Sequence, residues 1–162
     1  MLKMIRRSLL AVVAVAAMAG LAQAETTKDR VYTRLTGEEM QNIMQGQGYR
    51  AQLDVDEVGD PLISSTASGY KFRVLFYDCD RGRGCGAVQF WAGFDTDEPG
   101  SIERMNQWNA DKRFGKAYID DENDPIVEVH YNIEGGVTRA NIEDMLEWWE
   151  LVVAEFATYV GF

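Results

Sequence analysis

Two cysteines carry the clearest chemistry in this sequence: Cys79 and Cys85 lie on either side of Asp-Arg-Gly-Arg-Gly, residues 80–84. Residues 1–24 resemble an export signal, and two cysteines in one exported chain are expected to form a disulfide. Their spacing predicts a hairpin whose strand ends are joined by the disulfide, which stabilises the fold by roughly 2 kcal/mol in the chain-entropy model. Free thiols, metal ligation and redox chemistry are the alternatives. A redox centre more usually has Cys-x-x-Cys, and zinc needs more ligands than these cysteines and one histidine provide.

The single histidine, His130, is the only imidazole available as a general base. It lies in a predicted strand, and nothing in the sequence singles out a nucleophile as its partner. The acidic runs Asp54–Glu57 and Asp120–Asp124 offer oxygen ligands for calcium, but neither has the spacing of an EF-hand loop, so solvated turns are the simpler interpretation. We therefore predict a protein that is not an enzyme and has no metal site and no cofactor.

Arg81 and Arg83 lie at the tip of the predicted hairpin, in a chain that is otherwise acidic. The 162 residues contain 26 Asp and Glu and 16 Lys and Arg, a formal net charge of −10. This balance argues against nucleic acid or anionic lipid as a partner, because phosphate binding needs clustered cations, and it favours a basic partner. Two guanidinium groups beside glycines suit a carboxylate or phosphate of a partner. A solvated, mobile tip is the alternative.

Residues 1–24 have the three parts of a secretory signal peptide. Three basic residues among the first seven form the start, residues 8–21 form an apolar run, and Ala22–Ala24 is a small-x-small cleavage site. The run is shorter than the roughly 20 residues that a membrane-spanning helix needs. We therefore predict a periplasmic or secreted protein with no membrane anchor after cleavage. General and twin-arginine export both fit this start.

The elements that must position these residues follow from hydrophobic periodicity. Thr36–Glu39 is a capping-box pattern that begins the first helix. Tyr70–Cys79 alternates apolar and polar residues, which is typical of a half-buried antiparallel strand, and Cys85–Phe94 is the second arm of the clipped hairpin. Phe114–Asp120 and Pro125–Ile133 form another hairpin after a short middle helix.

The last helix, residues 139–159, follows an N-cap at Thr138 and has the longest apolar stripe. Its predicted core residues are Ile142, Met145, Leu146, Trp149, Val152, Val153, Phe156 and Val160. Trp148, Leu151 and Tyr159 widen this stripe beyond what one core face requires. That excess suits either the interface of a homodimer or the rim of a monomer's core.

These elements predict an α+β fold in the order αβββαββα, in which a twisted antiparallel five-stranded sheet has helices packed mainly on one face. Residues 25–35 are expected to form a flexible segment between the signal peptide and a domain that spans residues 36–162. Cleavage removes three basic and no acidic residues, so the net charge of the mature chain becomes −13.

Three groups of residues resemble the signature of the YbjN-domain family. They are Asn106-Gln107-Trp108-Asn109, the run from Arg113 to Tyr118, and Gly135-Gly136-Val137-Thr138 with Asn141. The resemblance spans Thr36 to Phe162, and it implies a fold like that of type III secretion chaperones and a role in regulating sensory transduction. It implies no catalytic residues. The signal peptide and the cysteine pair depart from the cytoplasmic members of the family.

This motif also has a physical interpretation that favours a structural role over ligand binding. Asn106 and Asn109 are three residues apart on the middle helix, where Trp108 can anchor the helix and the amides can satisfy nearby backbone groups. Gly135 and Gly136 supply backbone freedom before the N-cap.

The function that these features favour is an exported, non-enzymatic protein-interaction module, chaperone-like or regulatory, that uses exposed sheet surface or the apolar flank of a helix. Its protein partner is unidentified, and Arg81, Arg83, Trp148 and Leu151 are the candidate contact residues. The alternative is a periplasmic sensor domain in which Trp91, Trp108 and Tyr118 line a pocket for a small ligand or ion.

Overall fold

The computed structural model describes residues 30–81, 83–96 and 100–162. Over these residues the chain forms helices α1 (Gly37–Gly46), α2 (Ile102–Asp111) and α3 (Arg139–Val160). The strands are β1 (Val31–Tyr32), β2 (Gln52–Val55), β3 (Pro61–Ala67), β4 (Tyr70–Asp80), β5 (Gly84–Gly93), β6 (Lys116–Ile119), β7 (Pro125–Asn132) and β8 (Val137–Thr138). The predicted signal peptide, its cleavage site and residues 25–29 lie outside the described residues.

Six strands form one antiparallel sheet in the order β2-β3-β4-β5-β7-β6, and β1 pairs with β8 in a separate two-stranded sheet. The α+β class is confirmed, but the count of five strands and the order αβββαββα are wrong; the order is βαββββαβββα. Four strands lie between α1 and α2, because both arms of the cysteine hairpin are full strands that follow β2 and β3. β1 and β8 have two residues each, which is too short for a hydrophobic period to show.

The three helices pack against one face of the six-stranded sheet. Phe72 and Val74 point from β4 into this layer and are at most 2% exposed, and the Phe72 ring meets that of Trp149 on α3 at 5.7 Å between centroids. Lys71 and Arg73 alternate with them along β4 and are exposed on the opposite face. Because successive side chains of a strand point to opposite faces, the sheet has one buried face and one face open to solvent.

Local hydrogen bonds begin the first and last helices where the sequence predicts them. The Thr36 hydroxyl accepts from the Glu39 amide, and the Glu39 carboxylate accepts from the Thr36 amide, both at 3.1 Å. Thr138 and Asn141 exchange equivalent bonds at the start of α3. Each such cap is worth about 1 kcal/mol. None of the helices in the described part of the chain combines the length and apolarity that crossing a bilayer requires.

The segment before α1 differs from the flexible stretch predicted for residues 25–35. From residue 30 onward it is paired and packed: β1 lies against β8, and Leu35 is fully buried. Leu35 also exchanges backbone hydrogen bonds with Cys85, at 3.0 and 2.9 Å. The polar composition of this segment hides the fact that its few apolar side chains complete the core.

Candidate functional site

Cys79 and Cys85 form a disulfide between directly opposite residues of β4 and β5, with their Cα atoms 3.9 Å apart. Arg34 reinforces this end of the hairpin, because its side chain donates to the Gly84 carbonyl at 3.1 Å and to the Asp78 carbonyl. Gly84 has φ +92°, and a Cβ on it would lie 2.8 Å from the Leu35 carbonyl carbon. The disulfide therefore lies in a tightly packed corner of the fold.

Arg81 and Arg83 lie at the exposed tip of the hairpin. Arg83 forms an ion pair with Asp80 at 2.8 Å, although its side chain is still 77% exposed. The positive charge of the tip is therefore partly neutralised by Asp80 at the end of β4. The two arginines lie on a different element from Trp148 and Leu151, so the predicted contact residues belong to two separate surfaces.

The motif residues of α2 attach this helix to the rest of the fold. Trp108 is 1% exposed, donates from Nε1 to the Gly115 carbonyl at 2.8 Å and packs on Phe156 with 4.9 Å between ring centroids. Asn109 donates to the Ala117 carbonyl at 2.9 Å and accepts from the Ala117 amide at 2.7 Å. The Asn109 side chain therefore pairs with edge strand β6 as a neighbouring strand would.

The remaining motif residues lie in several places. Asn106 is exposed on α2, and the Arg113 guanidinium lies 4.8 Å above the Phe114 ring. Gly135 and Gly136 have φ of +105° and +107° in the turn before Thr138. The structure does not gather these side chains into one cavity.

The predicted aromatic pocket does not form. Trp91 and Tyr118 meet on the open face of the sheet, where Trp91 Nε1 donates to the Tyr118 hydroxyl at 3.3 Å. Burial, and then the charge of Glu128, raise the pKa of Tyr118. Trp108 lies in the core on the other side of the sheet, so the three rings cannot line one pocket.

Trp148 and Leu151 lie on the exposed side of α3 and are 41% and 62% exposed. They are three residues apart and therefore neighbours on the helix surface. Phe114, from the turn after α2, packs on Trp148 with 5.0 Å between ring centroids. We call Phe114, Trp148 and Leu151 the α3 patch. A broad, open hollow of about 720 Å³ adjoins Trp148 and Leu151.

Acidic side chains follow the α3 patch along its helix. Asp144 and Glu147 are exposed one turn before Trp148 and Leu151, and Glu155 is exposed one turn after Leu151. Glu155 forms an ion pair with Lys112. The whole of α3 contains five acidic residues and one basic residue, so its exposed side is negative. Arg113 on Phe114 leaves the other end of the patch less acidic.

The acidic runs form turns, as the sequence suggests. Asp56 Oδ1 accepts from the amides of Val58 and Asp60 at 3.0 and 2.9 Å. Asp120 Oδ1 accepts from two backbone amides in its own turn in the same way. Among the described residues, no group of three or more His, Cys, Asp and Glu side chains is placed to hold a metal ion. The carboxylates of Asp56 and Asp120 thus have a structural use.

Sequence reasoning did not identify the residues of one surface, the open face of the central strands. Lys71, Arg73, Leu75 and Tyr77 all point to this face from β4. The alternation of residues along Tyr70–Cys79 indicates both faces of this strand, but it was used only to identify the buried face. Exposed sheet surface was predicted as an interaction region, but the residues of this strand that form it were not named.

Comparison with known proteins identifies a family. A family model for YbjN, described as "Putative bacterial sensory transduction regulator", matches residues 36–162. Neither a search of curated proteins nor a search of solved structures found a match to this chain.

Proposed function

The chain belongs to the YbjN family, and on that premise we propose that it is an exported, non-enzymatic protein-interaction module that holds a basic amphipathic helix of a partner against the α3 patch. The family description as a regulator supports an interaction or regulatory role in general. The observation that carries the specific proposal is the exposure of Trp148 and Leu151, at 41% and 62%, on a helix whose neighbouring side is buried.

The apolar part of the α3 patch supports binding of another protein. Large apolar side chains on a protein surface, when they lie together, mark interaction sites more often than isolated ones do, and tryptophan is enriched among residues that dominate binding. The Phe114 ring packs on the Trp148 ring at an interplanar angle of 42°, and this contact restricts the Trp148 side chain before a partner arrives. Such an ordered anchor costs less conformational entropy on binding.

The acidic part of the surface supports a partner of opposite charge. Asp144 and Glu147 lie beside the apolar residues and would face lysine or arginine on a bound segment. A helix with apolar residues three and four apart and basic flanks matches this arrangement. A symmetric dimer through the same patch would place two α3 helices, each with five acidic and one basic residue, side by side, which is unfavourable.

Export is supported by the disulfide between Cys79 and Cys85, because disulfides persist in oxidising compartments. The predicted signal peptide agrees with it. In such a compartment the module would meet periplasmic or secreted proteins.

The experiment that tests this function places a photo-crosslinking amino acid at position 151 in the full chain in cells and identifies the adducts by mass spectrometry. We expect adducts with a different protein at a segment that is basic and amphipathic. Trp148→Ser should reduce their yield roughly tenfold or more, as for a binding hot spot. It should change the free energy of unfolding by less than about 1 kcal/mol, because the side chain is partly exposed.

Position 102 supplies the matched control, because Ile102 is 67% exposed on a different helix, α2. Crosslinks at this position should not yield the same adduct. The proposal is wrong if positions 102 and 151 capture the same proteins, or if position 151 captures only a second copy of this chain.

A further inference from the structure

The open face of the six-stranded sheet contains a small cationic site. Lys71 and Arg73 are exposed on β4, and their partners on β3 are Thr66 and Ser64, which are also exposed. Trp91 lies opposite Arg73 on β5. The residues around the adjoining hollow of about 300 Å³ are Ser64, Ser65, Lys71, Phe72, Arg73, Trp91 and Gly93, none of which is acidic.

The two cations are not neutralised by the surrounding protein. Within the described residues, neither Lys71 nor Arg73 takes part in an ion pair. Glu128 on the same face is held by Lys116 at 2.8 Å, and Asp54 belongs to the edge strand β2. In a chain with 26 acidic and 16 basic residues, this is a local reversal of charge.

Arg73 is held in place for binding. Its guanidinium lies over the Trp91 ring, 5.7 Å from the centroid. Trp91 is itself fixed by its bond to the Tyr118 hydroxyl and by Gly93, where a Cβ would lie 2.9 Å from the ring. A guanidinium that lies over an aromatic ring keeps N–H groups available, and these match a carboxylate in a two-bond geometry.

Apolar side chains continue the site along the strand. Leu75 follows Arg73 on the same face, and its partner on β3 is Leu62. Both leucines are half-buried. Along β4, the two cationic side chains are therefore followed by Leu75, which lies beside Leu62 of β3.

We propose that this face binds an extended acidic segment of a polypeptide, with two carboxylates two residues apart and an apolar side chain two residues further. Side chains two apart on a strand are separated by about 7 Å, and the same spacing holds in an extended ligand. The carboxylates then reach Lys71 and Arg73, and the apolar side chain packs on Leu75. This site lies across the sheet from the α3 patch and does not depend on the function proposed for that patch.

The test is fluorescence anisotropy at low salt with the purified protein and the labelled peptide Gly-Glu-Ser-Glu-Ser-Leu-Gly. We expect saturable binding that weakens with added salt. The double variant Lys71→Glu, Arg73→Glu should lower the affinity at least about tenfold, since two attractive contacts become repulsive. Circular dichroism should be unchanged, because both side chains are exposed.

The control variant is Arg104→Glu, Arg113→Glu, at two exposed positions on the helical side of the fold, which changes the net charge by the same amount. It should keep most of the affinity. An equal loss in both variants would show attraction to the overall charge and overturn the proposal. The peptide Gly-Glu-Glu-Ser-Ser-Leu-Gly has the same composition with the wrong spacing, and equal binding of it would also contradict the proposal.

Two competitors separate a peptide ligand from other anions. Inorganic phosphate and polygalacturonate, each at matched charge concentration, should displace the peptide only weakly. If either displaces it as well as the unlabelled peptide does, the site recognises anions in general or an acidic glycan, and an acidic polypeptide is the wrong ligand.

Discussion

Asn109 and Asn106 are two asparagines of one motif with different surroundings. The Asn109 side chain exchanges both hydrogen bonds with the Ala117 backbone, so it satisfies an otherwise unpaired edge of β6. Asn106 lies one turn earlier on α2 and is exposed. A role in holding the fold together therefore rests on Asn109, and the stability of variants can measure it.

We expect Asn109→Ala to lower the free energy of unfolding by about 1–3 kcal/mol, because the amide and carbonyl of Ala117 lose their partner. Urea denaturation measures this change. Asn106→Ala on the same helix is the control and should change stability by less than about 0.5 kcal/mol. Equal effects of the two substitutions would mean that the Asn109 bonds are not important for the fold.

Tyr49 is expected to make the stability of the protein decrease at high pH. Burial, and next the charge of Glu150, raise the pKa of Tyr49 from 10.0 to about 12. Its hydroxyl donates to Glu150 at 3.2 Å. Because the unfolded chain ionises at lower pH than the native protein, stability from Tyr49 is fully present below pH 10 and is lost as the pH rises towards 12.

Urea midpoints at about pH 8 and about pH 11 should therefore show a fall for the parent protein and a smaller fall for Tyr49→Phe. Part of the fall should persist in the variant, because burial also raises the pKa of Tyr131 to about 12. An identical fall in parent and variant would exclude Tyr49 as a source of the pH dependence.

The cysteine hairpin is an element whose end is held by three kinds of contact. The disulfide joins β4 to β5, the Leu35 backbone pairs with Cys85, and the Arg34 side chain binds two carbonyl groups. Removing the disulfide therefore leaves other contacts in place. Its main effect is to give the unfolded chain more freedom.

Replacing both cysteines by alanine should lower the free energy of unfolding by roughly 2 kcal/mol, as the short loop implies. Reducing agent should produce a similar loss in the parent protein and none in the double variant, and chemical denaturation measures both. Amide exchange at Leu35 and Cys85 should become faster in the reduced parent protein than in the oxidised one. A parent protein that is equally stable with and without reductant would contradict this prediction.

The structure shows where the additional apolar residues of α3, namely Trp148, Leu151 and Tyr159, lie. Tyr159 packs on Trp108 at 5.3 Å between ring centroids, so it belongs to the rim of the core. Trp148 and Leu151 remain exposed and form the α3 patch with Phe114. The crosslinking prediction belongs to this element. Substitutions at its exposed residues are expected to weaken binding of a partner with little change in the free energy of unfolding.

At the scale of the whole molecule, the two proposed sites differ in the sign of their charge. The helical layer presents the acidic side of α3 around the α3 patch, whereas the open face of the sheet presents Lys71 and Arg73. The two proposed sites therefore prefer partners of opposite charge and lie on opposite sides of the sheet. A variant at one site should leave binding at the other unchanged, which makes the two predictions independent.

Local chemistry explains what could be predicted from the sequence alone. The capping box at Thr36–Glu39, the alternation along Tyr70–Cys79 and the buried stripe of the last helix each depend on residues a few positions apart. The cysteine hairpin is likewise a short-range feature. For these reasons the α+β class, the starts of the helices and the packing of the helices on one face could be predicted from the sequence.

Pairing between distant segments decided the rest. Whether Trp91 and Trp108 share a pocket depends on which side of the sheet each one lies, and the burial of Leu35 depends on a bond to a strand fifty residues later. The strand count, the two-residue strands and the cationic site on the open face depend on sheet register. Which distant segments become neighbours, and which face each side chain then shares with them, is decided by contacts between strands that are far apart in the sequence.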